Sequence, residues 1–313
     1  MIDVVILFFL FGLIAGLVRS DLKLPAALYD SLSMVLLLTI GLKGGEGLAK
    51  QALVPLLPQL GAVILLGVVL TFIAYAVLRY VGRLGRADAS SIAAHYGSVS
   101  VATFAVATNW LATRDISYEP QSAIFLTVME IPAIMIGIVL ARGISRDTDW
   151  RSLAHETFLG KGVTLLIGGM MIGWVAGPAG LEPIKNLFYD LFKGALALFL
   201  LEMGLIVARQ TSELRQRGLF IIVFGVGMPL LSAGLGLACG MVLNLSAGGV
   251  TLLATLAASA SYIAVPAAMR LAVPEANPGL SLSAVLGITF PFNILAGIPL
   301  YYWLAKQLSG ASL

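Results

Sequence analysis

The sequence predicts an all-α polytopic membrane protein with ten transmembrane helices. They form two inverted five-helix repeats, with discontinuous fourth and ninth helices. Composition, the spacing of apolar runs and a motif that recurs in mid-chain predict it. Over 313 residues the chain is 59% hydrophobic and only 11% charged, where a soluble domain carries about 25% charged residues. A bilayer core of about 30 Å is crossed by about 20 apolar residues, so ten spans fit with enough chain left for connections. No stretch is long and polar enough for a separate water-soluble domain, which excludes most ordinary enzymes and a simple nucleic-acid binder. The lone Cys239 excludes an intrachain disulfide and a cysteine-rich metal cluster.

Short charged clusters divide the apolar runs into spans at Ile2–Val18, Leu28–Leu42, Ala52–Tyr80, Ala89–Leu111 and Gln121–Ala141. The second five are Leu159–Ala176, Lys185–Ala208, Gly218–Leu243, Gly249–Leu271 and Ser281–Ala305. The first run carries Asp3 and no basic residue before its apolar stretch, so it reads as a span and not as a signal peptide.

The repeat is visible in the residues. Phe11-Gly-Leu-Ile-Ala-Gly16, then Leu24-Pro25 and Leu28-Tyr29-Asp30, is echoed by Ile172-Gly-Trp-Val-Ala-Gly177, Glu182-Pro183 and Phe188-Tyr189-Asp190. At a similar offset Ala93-Ala94 aligns with Ala257-Ala258, and Val101 with Val265. The chain divides into a first repeat, 1–141, a cytoplasmic linker, 142–158, and a second repeat, 159–313. An odd number of spans per half inverts the second half, an arrangement characteristic of secondary transporters. Basic residues orient the whole. Lys43, Lys50, Arg114, Lys185, Lys193 and Lys306 fall on the side of both termini, and the larger remainder falls on the other. Both termini are therefore expected outside the cytoplasm. The basic excess serves topology, with binding of anionic membrane lipid as a sharper alternative.

Polar residues inside spans mark function. The fourth span contains His95-Tyr96-Gly97-Ser98-Val99-Ser100-Val101-Ala102-Thr103. The ninth contains Ala258-Ser259-Ala260-Ser261-Tyr262, with Pro266 shortly after. Small residues, hydroxyls and a Gly or Pro at mid-span are what a broken helix needs, because unwound backbone must find partners. The half-helix that starts at a break offers unpaired N–H groups and about half a positive charge, which suits an anion. Two such breaks facing each other predict a small anionic substrate, against the plainer reading of small-residue packing faces. Glu130, in Thr127-Val-Met-Glu-Ile-Pro132, and Asn293, in Thr289-Phe-Pro-Phe-Asn293, lie at corresponding places in the fifth and tenth spans. A buried carboxylate costs at least about 2.5–3.5 kcal/mol on insertion scales, so a sodium ion suits Glu130. A protonated Glu130 and a helix-packing hydrogen bond are the competing readings. Gly12, Gly16, Gly173 and Gly177 read as close-packing positions. Gly41-Leu-Lys-Gly-Gly-Glu-Gly47 lacks the phosphate-loop spacing and is expected to end the second span. Glu202 reads as a gate-side or contact residue. His95 and His155 have no metal-ligand company, and no nucleophile–base pair or carboxylate dyad is legible.

The chain resembles the sodium-dependent bicarbonate transporter family, first known from cyanobacterial carbon concentration. The resemblance rests on Ile40-Gly-Leu-Lys-Gly-Gly45, Tyr96-Gly-Ser-Val-Ser100, Ile116-Ser-Tyr-Glu119, Glu130-Ile-Pro-Ala133, Leu271-Ala-Val-Pro-Glu-Ala-Asn-Pro278 and Gly297-Ile-Pro-Leu300. It implies a gate domain from spans 1, 2, 6 and 7, and a core domain from spans 3–5 and 8–10. It also implies a homotrimer and an elevator-like shift of core against gate. Carried over by position, the anion pocket falls on Gly97, Ser98, Val99, Ser100, Ser259, Ala260 and Ser261. The sodium sites fall on Glu130, Thr103, Thr127 and Asn293, with no other cofactor. Two departures stand out. The cyanobacterial transporter has an acidic residue where this chain has Tyr262, and its linker is much longer than 142–158. The family's PII-like regulatory protein docks on the cytoplasmic face. The sequence is thus expected to encode a sodium-coupled importer of bicarbonate in the cell inner membrane. A sodium- or proton-coupled carrier of another small anion, such as a monocarboxylate, is the alternative, as is an anion channel or sensor.

Overall fold

The computed structural model describes residues 3–50, 54–143, 155, 159–214 and 218–310, and the elements within them are helical. Helix α1 is Val4–Leu17 and α2 is Ala26–Leu48. Helix α3, Leu56–Ala76, ends in a π-turn at Val77–Val81. Helices α4, Arg86–Gly97, and α5, Val101–Ala112, are two halves of one interrupted rod, and α6 is Ser122–Arg142. Helix α7 is Lys161–Leu181 and α8 is Phe192–Leu214. Helix α9 is Leu219–Val242, and α10, Ala247–Ala258, is followed after a second interruption by α11, Ala264–Ala272. The last rod, α12, spans 278–310 and carries π-turns at Val285–Thr289 and Asn293–Gly297. Among the described residues, seven helical segments are long and apolar enough to cross a membrane; α1 and α10 are shorter apolar helices. The expected linker 142–158 lies largely outside the described residues, as do Arg146, Arg151, Arg215 and Arg217.

Helix backbones touch where the sequence supplies glycine. In an apolar solvent, association rests on close packing of small residues, since no hydrophobic force drives helix onto helix. Helix α1 lies along α8, where a Cβ on Gly12 would collide with the Leu201 carbonyl and one on Gly204 with the Phe9 carbonyl. Helix α2 lies along α7 in the same way, Gly45 against the Met170 carbonyl and Gly173 against the Leu42 carbonyl. The Gly41–Gly47 run therefore does not end the second helix. It continues to Leu48 and turns Gly41 and Gly45 toward α7, while Gly44 meets the Ala123 side chain and Gly47 meets Pro120. Gly177 also departs from its expected packing role. Its φ of 59° bends α7 ahead of Pro178, and a Cβ there would meet nothing within 4 Å.

Helices α3, α4, α6, α9, α10 and α12 pack into a second group. Gly137 of α6 sits on Ala94 and the Ser90 carbonyl, and Gly236 of α9 sits on Ala254. Two polar layers close the ends of the bundle. At one end Asn109 Nδ2 donates to Asp3 Oδ2 (3.0 Å), and Tyr189 Oη donates to Glu46 Oε2 (2.8 Å). The Glu119 carboxylate there accepts from the N–H and hydroxyl of Ser246. At the other end Arg86 Nε donates to the Leu140 carbonyl (2.6 Å), Lys161 pairs with Asp30 (3.6 Å), and Arg142 pairs with Glu275 (3.5 Å). The Asn277 N–H also donates to Asp88 there (2.7 Å).

Candidate functional site

The two interruptions lie against each other. Helix α4 stops at Gly97 because the next residue, Ser98, is extended (φ −89°, ψ −179°). A side chain at Gly97 would strike the Thr71 hydroxyl of α3. Ser100 is also extended and caps α5, its Oγ accepting from the Thr103 N–H (3.1 Å) and the Thr103 hydroxyl (3.0 Å). In the second half Ser259 is extended after α10 (φ −81°, ψ 171°), and its Oγ donates to the Leu256 carbonyl (2.8 Å). The Ser100 N–H donates to that same Ser259 Oγ (2.8 Å). The Ser261 N–H donates to the His95 carbonyl (3.0 Å), and His95 Nδ1–H donates back to the Ser261 carbonyl. The backbone freed by each break is thus satisfied largely by the other break, as an apolar environment demands. Gly97, Ser98, Val99, Ser100, Ser259, Ala260 and Ser261 are all buried at this crossing.

Several hydroxyls there remain unspent. Ser98 Oγ and Tyr262 Oη are buried and have no hydrogen-bond partner. Ser100 Oγ accepts twice from Thr103, and its hydroxyl lies against that of Tyr262. Tyr262 follows the second break, beside Ser100, with its ring edge-on to Phe290 at 5.6 Å. Buried polar groups are normally paired, so a set of free donors between two helix N-termini is the chemistry of an oxyanion site. Over the first turn of α5 a small cavity of about 10 Å³ separates Val101, Ala102 and Ala105 from Leu36, Leu37 and Phe199.

The residues expected to hold sodium are less tightly gathered. Glu130, Thr127, Thr103 and Asn293 are all buried. Thr103 belongs to the first break through Ser100. Asn293 belongs to the second, its Nδ2 donating to the Ala258 carbonyl (2.8 Å) while its Oδ1 accepts from the Tyr301 hydroxyl (2.8 Å). One Oδ1 lone pair is left over. Glu130 lies three residues after Thr127, on one face of α6, and the Thr127 hydroxyl donates to the Ala123 carbonyl (3.2 Å). Helix α6 packs on α4 and touches both α10 and α11. Among the described residues no salt bridge reaches Glu130, and no hydrogen bond joins it to Thr103, Thr127 or Asn293. No group of three His, Cys, Asp or Glu side chains that suits a metal ion is found among them either.

Sequence reasoning missed the supports. Tyr96 Oη donates to Thr289 Oγ1 (2.7 Å), which donates to the Gly225 carbonyl (2.7 Å), tying α4, α12 and α9 together behind the crossing. Thr71 and Tyr301 were missed as well. Each is an ordinary hydroxyl in an apolar run, and only its distant partner gives it a role.

No curated protein matches the chain. The sequence model of the Na+-dependent bicarbonate transporter superfamily matches residues 4–306, and the chain belongs to that superfamily.

Proposed function

We propose that this protein is a sodium-coupled secondary transporter that imports bicarbonate through the inner membrane. The observation that carries the reading is the buried, unpartnered hydroxyl of Ser98 beside those of Ser100 and Tyr262 where the two helix breaks cross. Bicarbonate is a small planar oxyanion that accepts from several donors at once. Among the described residues Glu130 forms no ion pair, and its burial supports a cation there: it would neutralise a costly charge with the oxygens of Glu130, Thr127, Thr103 and Asn293 as candidate ligands.

In this reading ten spans form two inverted five-helix repeats, with α4–α5 and α10–α11 as the broken fourth and ninth. A cross-brace supports the inversion. The loop after α5 caps the start of α10 through Glu119 and Ser246, and the loop after α11 meets the start of α4 through Asn277 and Asp88. Helices α1, α2, α7 and α8 act as the gate, and the others as a core that shifts past it like an elevator. Arg79, Arg86, Arg142 and Lys161 mark the cytoplasmic face, with both termini opposite. The homotrimer and a PII-like partner on the cytoplasmic face are carried over from the family resemblance.

Uptake of radiolabelled bicarbonate into proteoliposomes of the purified protein tests this. Concentrative uptake that requires an inward sodium gradient is the expected result. Mere equilibration would make the protein a channel, and binding without flux a sensor. Tyr262, with its hydroxyl beside Ser100 and its ring against Phe290, favours a second reading, a carrier of a small monocarboxylate. Sodium-driven uptake of acetate or lactate that bicarbonate fails to inhibit would select it.

A further inference from the structure

A cavity of about 480 Å³ lies between α2 and α8 on one side and α5 with the loop before α6 on the other. Phe104 and Thr108 line it, one and two turns along α5 from the break at Ser100, so it begins about one turn from the crossing and extends toward the end of the bundle that carries Asp3 and Lys50. Its charged lining is Lys43, Lys50, Lys193 and Glu46. The one carboxylate acts on Lys43 electrostatically but makes its close contacts elsewhere. Glu46 Oε1 pairs with Lys50 (3.2 Å), and Glu46 Oε2 accepts from Tyr189 (2.8 Å). Lys43 is left without an ion pair among the described residues and is exposed to the cavity. Its ammonium rests over two rings, 4.6 Å from the centroid of Phe192 and 5.1 Å from that of Tyr189. Ring faces hold a cation in place without consuming its hydrogen-bond donors or cancelling its charge.

We propose that Lys43 is an outer docking position for the transported oxyanion, a recruiting site distinct from the hydroxyl pocket at the crossing. It rests on the reading of the protein as an anion carrier. The ammonium, propped by Tyr189 and Phe192, raises the local anion concentration in the cavity and hands the anion down the Phe104–Thr108 face of α5. A positive mouth of this kind steers anions and is sensitive to salt.

Initial rates of bicarbonate uptake are measured for the full-length wild type, Lys43→Arg and Lys43→Gln in proteoliposomes, over a range of anion concentration and ionic strength. In Lys43→Gln the anion KM rises about five-fold or more and loses its salt dependence. The maximal rate and the sodium KM hold, and Lys43→Arg stays near wild type. A Lys43→Gln protein with wild-type KM and salt dependence overturns the docking site while the transport reading stands. No uptake by the wild type overturns both. Should Lys43→Gln fail to fold, the wild-type protein still decides. Saturating bicarbonate protects Lys43, but not Lys306, from acylation by an impermeant N-hydroxysuccinimide ester, and equal modification with and without bicarbonate overturns the proposal.

Discussion

Ser98 and Glu130 make opposite demands on what enters the protein. Among the described residues the Ser98 hydroxyl has no hydrogen-bond partner and the Glu130 carboxylate has no ion pair, and both are buried. Their substitutions should therefore separate. Ser98→Ala removes a donor to a charged ligand, typically about 1.5–3 kcal/mol, and is expected to raise the bicarbonate KM at least about ten-fold while sodium activation keeps its shape. Glu130→Gln keeps the volume and removes the charge, and is expected to abolish sodium dependence or uptake with the fold intact. Titrating sodium against uptake in both variants checks this. Sodium-driven uptake in Glu130→Gln that matches wild type would remove Glu130 from the ion site. Asn293 is a different case: its amide already holds the last carbonyl of α10, so its loss should disturb the second break whatever it does to sodium.

At the scale of the element, the broken helices were legible because their cause is local. Gly97, four serines and Tyr262 at mid-span leave a helix no better option than to open. What holds the openings was not legible. Thr71 against Gly97 and Thr289 beneath Tyr96 are long-range pairs, and Tyr301 behind Asn293 is two turns along the same rod; all are residues that also suit plain packing. The Gly41–Gly47 run was misread for a related reason: glycine weakens a helix in water, but inside an apolar bundle it lets two helices touch. Gly177 erred the other way, a bend where a contact was expected. Glu119 shows how an element is started from afar, its carboxylate meeting the N–H and hydroxyl of the residue that caps α10. Glu119→Ala is expected to cost about 0.5–2 kcal/mol, read as a lower Tm in detergent, with Glu119→Gln losing less.

For the molecule as a whole, α2 joins its two groups of helices. On one side Gly41 and Gly45 press it onto α7, backbone to backbone, and on the other Gly44 and Gly47 face Ala123 and Pro120. A bulky residue at Gly44 should act on movement and not on the pocket. Gly44→Leu is expected to bind bicarbonate with wild-type affinity, by calorimetry, while turnover falls at least about ten-fold; equal loss of binding and turnover would place the defect in the site instead. The smoothness of that seam has a mechanical consequence. Interlocked side chains would store the position of the moving part as a ratchet does. A surface of glycine, alanine and proline works as a bearing, with no notch to climb out of and none to rest in. If the core moves as proposed, position along the stroke would then be held by cargo: occupancy of the crossing would set where the carriage stands, and an empty carriage would be free to return.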